Sequence, residues 1–169
     1  MDPDPLVIRK GTAGDSAAIA RIQAASPESA HWNPESYLGY DCLVAIAQSE
    51  VVAFLVSREL LPGEREILNL AVIPSYRRRG IASRLLKEEL DRSSETWFLE
   101  VRESNLAALN LYKQMGFTPV GRREQYYQDP SDAAIVMRIV SCYRHDAQSA
   151  VGDRLPEEQY PPSQKDRNS

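Results

Sequence analysis

Cysteine is nearly missing: Cys42 and Cys142 stand a hundred positions apart in a chain of 169 residues. That spacing excludes a disulfide framework and the paired thiolates of a structural zinc site, and it fits a reducing cytosol. Histidine is as scarce, and His31 and His145 show neither metal spacing nor a Ser or Cys partner pattern, so no metal is expected. Long apolar runs are absent too. The strongest, such as Val51–Val56, fall far short of the roughly 20 residues that span a bilayer. The opening MDPDPLVIRK is acidic and broken by Pro3 and Pro5, so it lacks the basic and then apolar character of a secretory signal. No membrane partner is expected. Nor does one sign of charge prevail: 20 Lys+Arg against 24 Asp+Glu leave a net charge of −4, with no overall field to hold nucleic acid. What is present, 43% hydrophobic and 26% charged residues with only 8 Gly and 11 Pro, is the composition of a soluble globular chain of one domain.

The residues are used unevenly. From Ser141 to Ser169 only Val151 and Leu155 are large aliphatic residues, and Pro, Gln, Ser and charges fill the rest. Residues 141–169 read as a polar tail that cannot bury enough apolar surface to offset its ordering entropy, and 1–140 as the folded domain. Within the domain, Leu6–Lys10 predicts a strand, Ser16–Ala25 a helix with Ile19 and Ile22 on one face, and Asn33-Pro34 the cap and first position of a short helix. Leu43–Ala47 and Val51–Glu59 predict a hairpin joined by residues 48–50, and Glu66–Ile73 a strand ended by Pro74. Gly80–Ser93 predicts an amphipathic helix striped by Ile81, Leu85, Leu86 and Leu90. Trp97–Arg102 is a buried strand, Asn105–Met115 a helix closed by Gly116, and Pro119–Tyr127 and Ala133–Val140 are closing strands. The order describes a mixed α/β sandwich (α+β).

The run EILNLAVIPSYRRRGIASRLL, Glu66 to Leu86, joins a strand, a basic loop and a helix without a break. A helix N-terminus exposes unpaired N–H groups and the positive end of the helix dipole, which together favour an anion. Gly80 lets a phosphate approach the backbone, small Ala82 keeps the approach open, and Arg77, Arg78 and Arg79 add charge. Alone, YRRRG reads equally as a solvated basic loop or a small RNA patch. It matches neither a Walker loop nor the GxGxxG fingerprint.

With Arg77, Gly80 and Ala82 in place, the loop resembles the [QR]xxGx[GA] pyrophosphate motif of the GCN5-related N-acetyltransferases. A second element, NxxAxxLYxxxGF, is matched by Asn105, Ala108, Leu111, Tyr112, Gly116 and Phe117. The likeness covers the domain and leaves out the tail. It is closer still to the bacterial ribosomal-protein-alanine N-acetyltransferases, through NLAVIPSYRRRG, FLEVRESNLAALNLYKQMGF and the REQYY of Arg123–Tyr127; Ala82, where that group commonly has Gly, is a departure. The resemblance implies one mixed sheet splayed between its fourth and fifth strands, helices on both faces, and acetyl-CoA in the opening. It places the donor along Leu70, Ala71 and Val72, at Arg77, Arg78, Arg79, Gly80, Ile81, Ala82 and Ser83, and against Asn105 and Tyr112. It also implies a protein N-terminus as acceptor, that of a ribosomal protein, and a monomer or weak dimer.

Acetyl transfer to an amine needs a neutral amine, a stabilised thioester oxygen and a proton for the departing thiolate. Alternation puts Glu100 on a face with Phe98 and Arg102, opposite Trp97, Leu99 and Val101. By resemblance Glu100 is a general base, acting directly or through water; the other reading is a salt bridge to a neighbouring Arg. An α-amine, with a pKa of about 7.7–8.0 against about 10.4 for lysine, asks little of a lone carboxylate. Tyr112 is either a core tyrosine at helical spacing or, by resemblance, the acid for the thiolate. A backbone N–H near Ala71 or Val72 is expected to meet the thioester oxygen. Asn105 is a helix cap, a donor ligand or both, and Asn69 a bulge residue or an acceptor contact. Trp32, Glu59, Tyr126 and Tyr127 are acceptor-side candidates, with Glu59, Glu64 and Glu66 reading either as a solvated face or as an attractor of cationic peptide. Neither cysteine falls in the motifs, which favours direct attack over an acyl-enzyme. The rivals are another acceptor, such as a protein lysine or a polyamine, and a non-catalytic coenzyme A sensor.

Overall fold

A computed structural model describes residues 5–28 and 32–141. The elements run β1 (Val7–Lys10), α1 (Ser16–Ala24), β2 (Asp41–Ala47), β3 (Glu50–Leu61), β4 (Glu64–Val72), α2 (Ile81–Leu90), β5 (Thr96–Arg102), α3 (Leu106–Gln114), β6 (Thr118–Gln128) and β7 (Ser131–Val140). A 3-10 turn, Pro34–Gly39, stands where a short helix is predicted, and the Asn33 side chain caps it by accepting from the Glu35 N–H. So short a segment, six residues, closes with i to i+3 bonds, Ser36 N–H to the Asn33 carbonyl at 2.9 Å and Tyr40 N–H to the Tyr37 carbonyl at 3.0 Å, which gives the tighter winding. His31, Cys142, His145 and the rest of residues 142–169 lie outside the described residues.

The strands form one mixed sheet in the order β1-β2-β3-β4-β5-β7-β6. All neighbours are antiparallel except β4 and β5. The β2–β3 hairpin closes through Gln48 and Ser49, whose φ of 51° and 63° suit a two-residue turn, so Glu50 already belongs to β3. β3 is apolar on both faces because both are covered. On one face Leu43, Ala45 and Leu55 pack with Leu85 and Leu86 of α2 and Leu109 of α3; on the other, Val44, Phe54 and Val56 pack with Ile19 and Ile22 of α1. Helices therefore cover both faces, as expected.

The parallel pairing of β4 with β5 is short, running from Glu64↔Thr96 to Ile67↔Leu99. There β4 carries one extra residue, Leu68, between the partners of Val56 and Ser57, a bulge that bends the strand. Beyond it β4 stays with β3 up to Val72, while Glu100, Val101 and Arg102 of β5 stay with β7. The sheet opens into a wedge, which is the splay the resemblance implies. Under the closed half, Arg65 lies 5.1 Å from the Trp97 ring centre and bonds Asp41 and Ser57, and Ser57 donates to the buried Glu89 carboxylate at 2.6 Å. Ser141, counted with the tail in the sequence, is buried and bonds the carbonyls of Leu90 and Glu95. Among the described residues no helix is long and apolar enough to cross a membrane.

Candidate active site

The wedge continues into a cavity of about 960 Å³ bounded by β4, the N-terminus of α2, β5, α3 and the β6–β7 hairpin. A strand pair held together would bury those β4 and β5 backbone groups against each other; parted, they face the cavity. Leu70, Ala71 and Val72 form one wall.

At the α2 end, Gly80 caps the helix with φ +74°, and a Cβ there would meet nothing within 4 Å. Glycine is required for the left-handed backbone, and the space above it is open to an anion. Gly80, Ile81, Ala82 and Ser83 all line the cavity. The three arginines separate in role. Arg78 lines the cavity; Arg79 does not, and its guanidinium lies 4.7 Å from the Tyr76 ring centre. Arg77 lines it too, but its guanidinium is engaged by the Val72 carbonyl at 2.9 Å, Ser26 Oγ at 2.8 Å and Glu28 Oε1 at 2.7 Å. It ties the segment after α1 to the basic loop, so the backbone amides and Arg78 are the groups left to meet phosphate.

On α3, Asn105 Oδ1 accepts from the Ala108 N–H at 3.1 Å while Asn105 lines the cavity. The cap reading holds, and because a cap uses only the oxygen it leaves the amide NH₂ unspent on the cavity side. Tyr112 reaches the cavity wall from a buried site, its ring 5.7 Å from Phe117 in edge contact. Burial holds its phenol well above the ordinary range, and the charge of Tyr127 adds to this, so the hydroxyl keeps its proton.

Opposite, Glu100 lines the cavity with its side chain 16% exposed and pairs with Arg123 Nε at 2.9 Å. The neighbouring Glu100 carboxylate, more than burial, pushes the Tyr126 phenol up to about 12. Tyr127 stands 5.1 Å from the Tyr126 ring, edge to face, with Arg102 4.1 Å from its centre. Arg102 also donates to the carbonyls of Asp129 and Pro130, pinning the hairpin over the cavity.

Asn69 lines the cavity and donates to the Tyr37 hydroxyl at 2.9 Å; Tyr37 donates to Gln23, and Gln23 donates to the Trp32 carbonyl. This buried chain fixes Trp32, 41% exposed and stacked on Tyr37, at the cavity mouth. Asn69 is thus the residue after the bulge and the post on which the α1 side is hung. Of the acidic trio, Glu66 lines the cavity but is paired with Arg58 at 2.8 Å. Glu59 is exposed and outside the lining, and Glu64 sits in the closed half of the sheet. Their attraction for a cationic peptide is correspondingly reduced.

Reading the residues missed Glu28, Arg58, Tyr37 and Arg123. Arg123 lay in a quoted motif without a role, and Arg58 follows β3 alternation. Glu28 carried no periodic signal, because it belongs to an irregular segment. Among the described residues no group of three His, Cys, Asp or Glu could hold a metal.

The family model described as acetyltransferase (GNAT) family matches residues 16–117, the stretch that supplies every wall except the β6–β7 hairpin. The chain belongs to the GNAT family. A [Ribosomal protein bS18]-alanine N-acetyltransferase of Salmonella typhimurium is 34% identical over 122 residues, 65% of this chain and 82% of that protein. An uncharacterized protein of Mycobacterium leprae is 32% identical over 148 residues, 81% of this chain but only 41% of that protein. The crystal structure of the ribosomal-protein-S18-alanine N-acetyltransferase from Escherichia coli matches with a TM-score of 0.71 and 25% identity, covering 86% of this GNAT chain and all (100%) of the other.

Proposed function

We propose that the protein transfers acetyl from acetyl-CoA to the α-amine of a protein N-terminus, that of a small-subunit ribosomal protein beginning with alanine, in a cytoplasmic setting. The observation that carries this reading is the parted β4–β5 pair, with free helix amides at one end and the Glu100 carboxylate facing the same cavity as the Tyr112 phenol. The similarity to bS18-alanine N-acetyltransferases supports the choice of acceptor.

In this account the pyrophosphate of acetyl-CoA meets the amides of Ile81, Ala82 and Ser83 and the Arg78 side chain, with Asn105 alongside. The thioester lies along Leu70–Val72, where a strand N–H meets its oxygen. Glu100, directly or through water, takes a proton from the acceptor ammonium. The amine lone pair attacks the thioester carbon, the C–S bond breaks, Tyr112 gives its proton to the leaving thiolate, and the second proton shed by the acylated nitrogen restores the phenol, leaving a neutral amide and free coenzyme A thiol. Direct attack is favoured because Cys42 is outside this cavity, on a second, small one, with burial pushing its thiol up to about 11. Mass spectrometry of ribosomal protein N-termini, in cells with and without the protein, tests the acceptor. Loss of acetyl from one alanine N-terminus is expected; an unaltered set of acetylated N-termini would sink the assignment.

A further inference from the structure

We propose that Arg123 is a placeholder cation: it occupies the acceptor side of Glu100 in the free protein and must be displaced by the acceptor's ammonium, so it sets how strongly an amine must bind to reach the base. The inference rests on the acetyl-transfer reading of this site.

Arg123 Nε contacts Glu100 Oε1 at 2.9 Å, and among the described residues it is the cation in ion-pair contact with that carboxylate. The pair is asymmetric. Glu100 is 16% exposed on the cavity wall, whereas Arg123 is 60% exposed and outside the lining. The neighbouring cations are committed elsewhere: Arg102 to two carbonyls and the Tyr127 ring, Arg122 to Glu103 and Glu124, Arg58 to Glu66. Arg123 stands where β6 leaves its register, between Arg123↔Ala134 and Tyr127↔Asp132, with Gln125 at φ 50°. That irregular stretch brings Arg123 onto Glu100, its guanidinium carbon 5.7 Å from the Tyr126 ring centre. A guanidinium and an incoming ammonium seek the same oxygen, and an ion pair with one partner in water is weak enough to exchange.

The test is calorimetric binding of an alanine-initiated peptide and its des-amino analogue to the CoA-loaded wild type, Arg123→Gln and Arg123→Lys. Arg123→Gln is expected to bind the amino peptide about two- to fivefold tighter, the range of a weak exposed pair. Arg123→Lys is expected to match wild type, and the des-amino peptide to bind all three alike. Equal or weaker binding of the amino peptide by Arg123→Gln, a gain shared by the des-amino peptide, or no binding by any variant overturns the placeholder. Turnover of acetyl-CoA in the same samples separates the two claims. The expected binding pattern without turnover upholds the placeholder and removes the acetyl-transfer reading; turnover with a flat binding pattern does the reverse.

Discussion

Tyr112 is a core side chain that also lines the cavity. Its ring belongs to the core with Phe117, and burial keeps the proton on its phenol; on the proposed reading that proton goes to the leaving thiolate. A positioned acid contributes about a hundredfold or more, so Tyr112→Phe is expected to lower kcat by about 10²-fold while leaving acetyl-CoA affinity within about twofold. Steady-state kinetics beside calorimetry of acetyl-CoA checks this, and an unchanged kcat removes Tyr112 from the mechanism. Asp15 acts at the same scale but on stability. Arg9 binds its carboxylate through two nitrogens at 2.8 and 2.9 Å, and Thr12 donates to it from both N–H and hydroxyl. Chiefly through the Arg9 hydrogen bonds, its pKa is lowered to about 2. The folded pKa lies below the unfolded one, so the stabilisation is complete above about pH 4 and is lost as pH falls toward 2. Asp15→Asn is expected to cost about 2 kcal/mol in urea unfolding at pH 7, with the gap to wild type closing at pH 2.

Elements place these residues, and the helix ends decide most of the site. Gly80 holds a left-handed cap that a larger residue adopts at a cost of about 1 kcal/mol. Gly80→Ala is expected to be destabilised by that amount and to bind acetyl-CoA more weakly, because the amides of Ile81–Ser83 lose their alignment. Differential scanning of the variant with and without acetyl-CoA measures both effects. Asn105→Ala is expected to lose about 1 kcal/mol of stability with its cap, and acetyl-CoA affinity as well if the amide NH₂ meets the ligand. These ends were legible in the residues because Gly80 and Asn105 advertise backbone geometry. The walls built by irregular chain were not. Glu28 and Trp32 flank a segment without period, and Arg123 reaches Glu100 only because β6 slips register, which no alternation pattern foretells.

For the whole molecule, the decisive feature is a sheet that holds together at one end and parts at the other. Alternation in β5 told which face Glu100 takes, but not that Arg123 would stand on it. The splay was expected from resemblance to a family, and the bulge at Leu68 supplies its local cause. Charge follows the same division. A net −4 conceals a basic loop at Arg77–Arg79, while of the acidic residues expected at the acceptor side Glu66 is paired with Arg58 and Glu59 and Glu64 stand outside the cavity lining; Glu100, expected as the base, is paired with Arg123. The carboxylates lining the cavity are therefore each paired with an arginine, Glu28 with Arg77, Glu66 with Arg58 and Glu100 with Arg123, and on the proposed reading that balance suits one ammonium better than a polycation. Acetyl transfer to an α-amine is most directly tested by incubating the purified protein with acetyl-CoA and two peptides, one with a free alanine N-terminus and no lysine, one with a blocked N-terminus and an internal lysine. Mass spectrometry is expected to find one acetyl group on the first peptide and none on the second; acetylation of the lysine peptide alone, or of neither, contradicts the account.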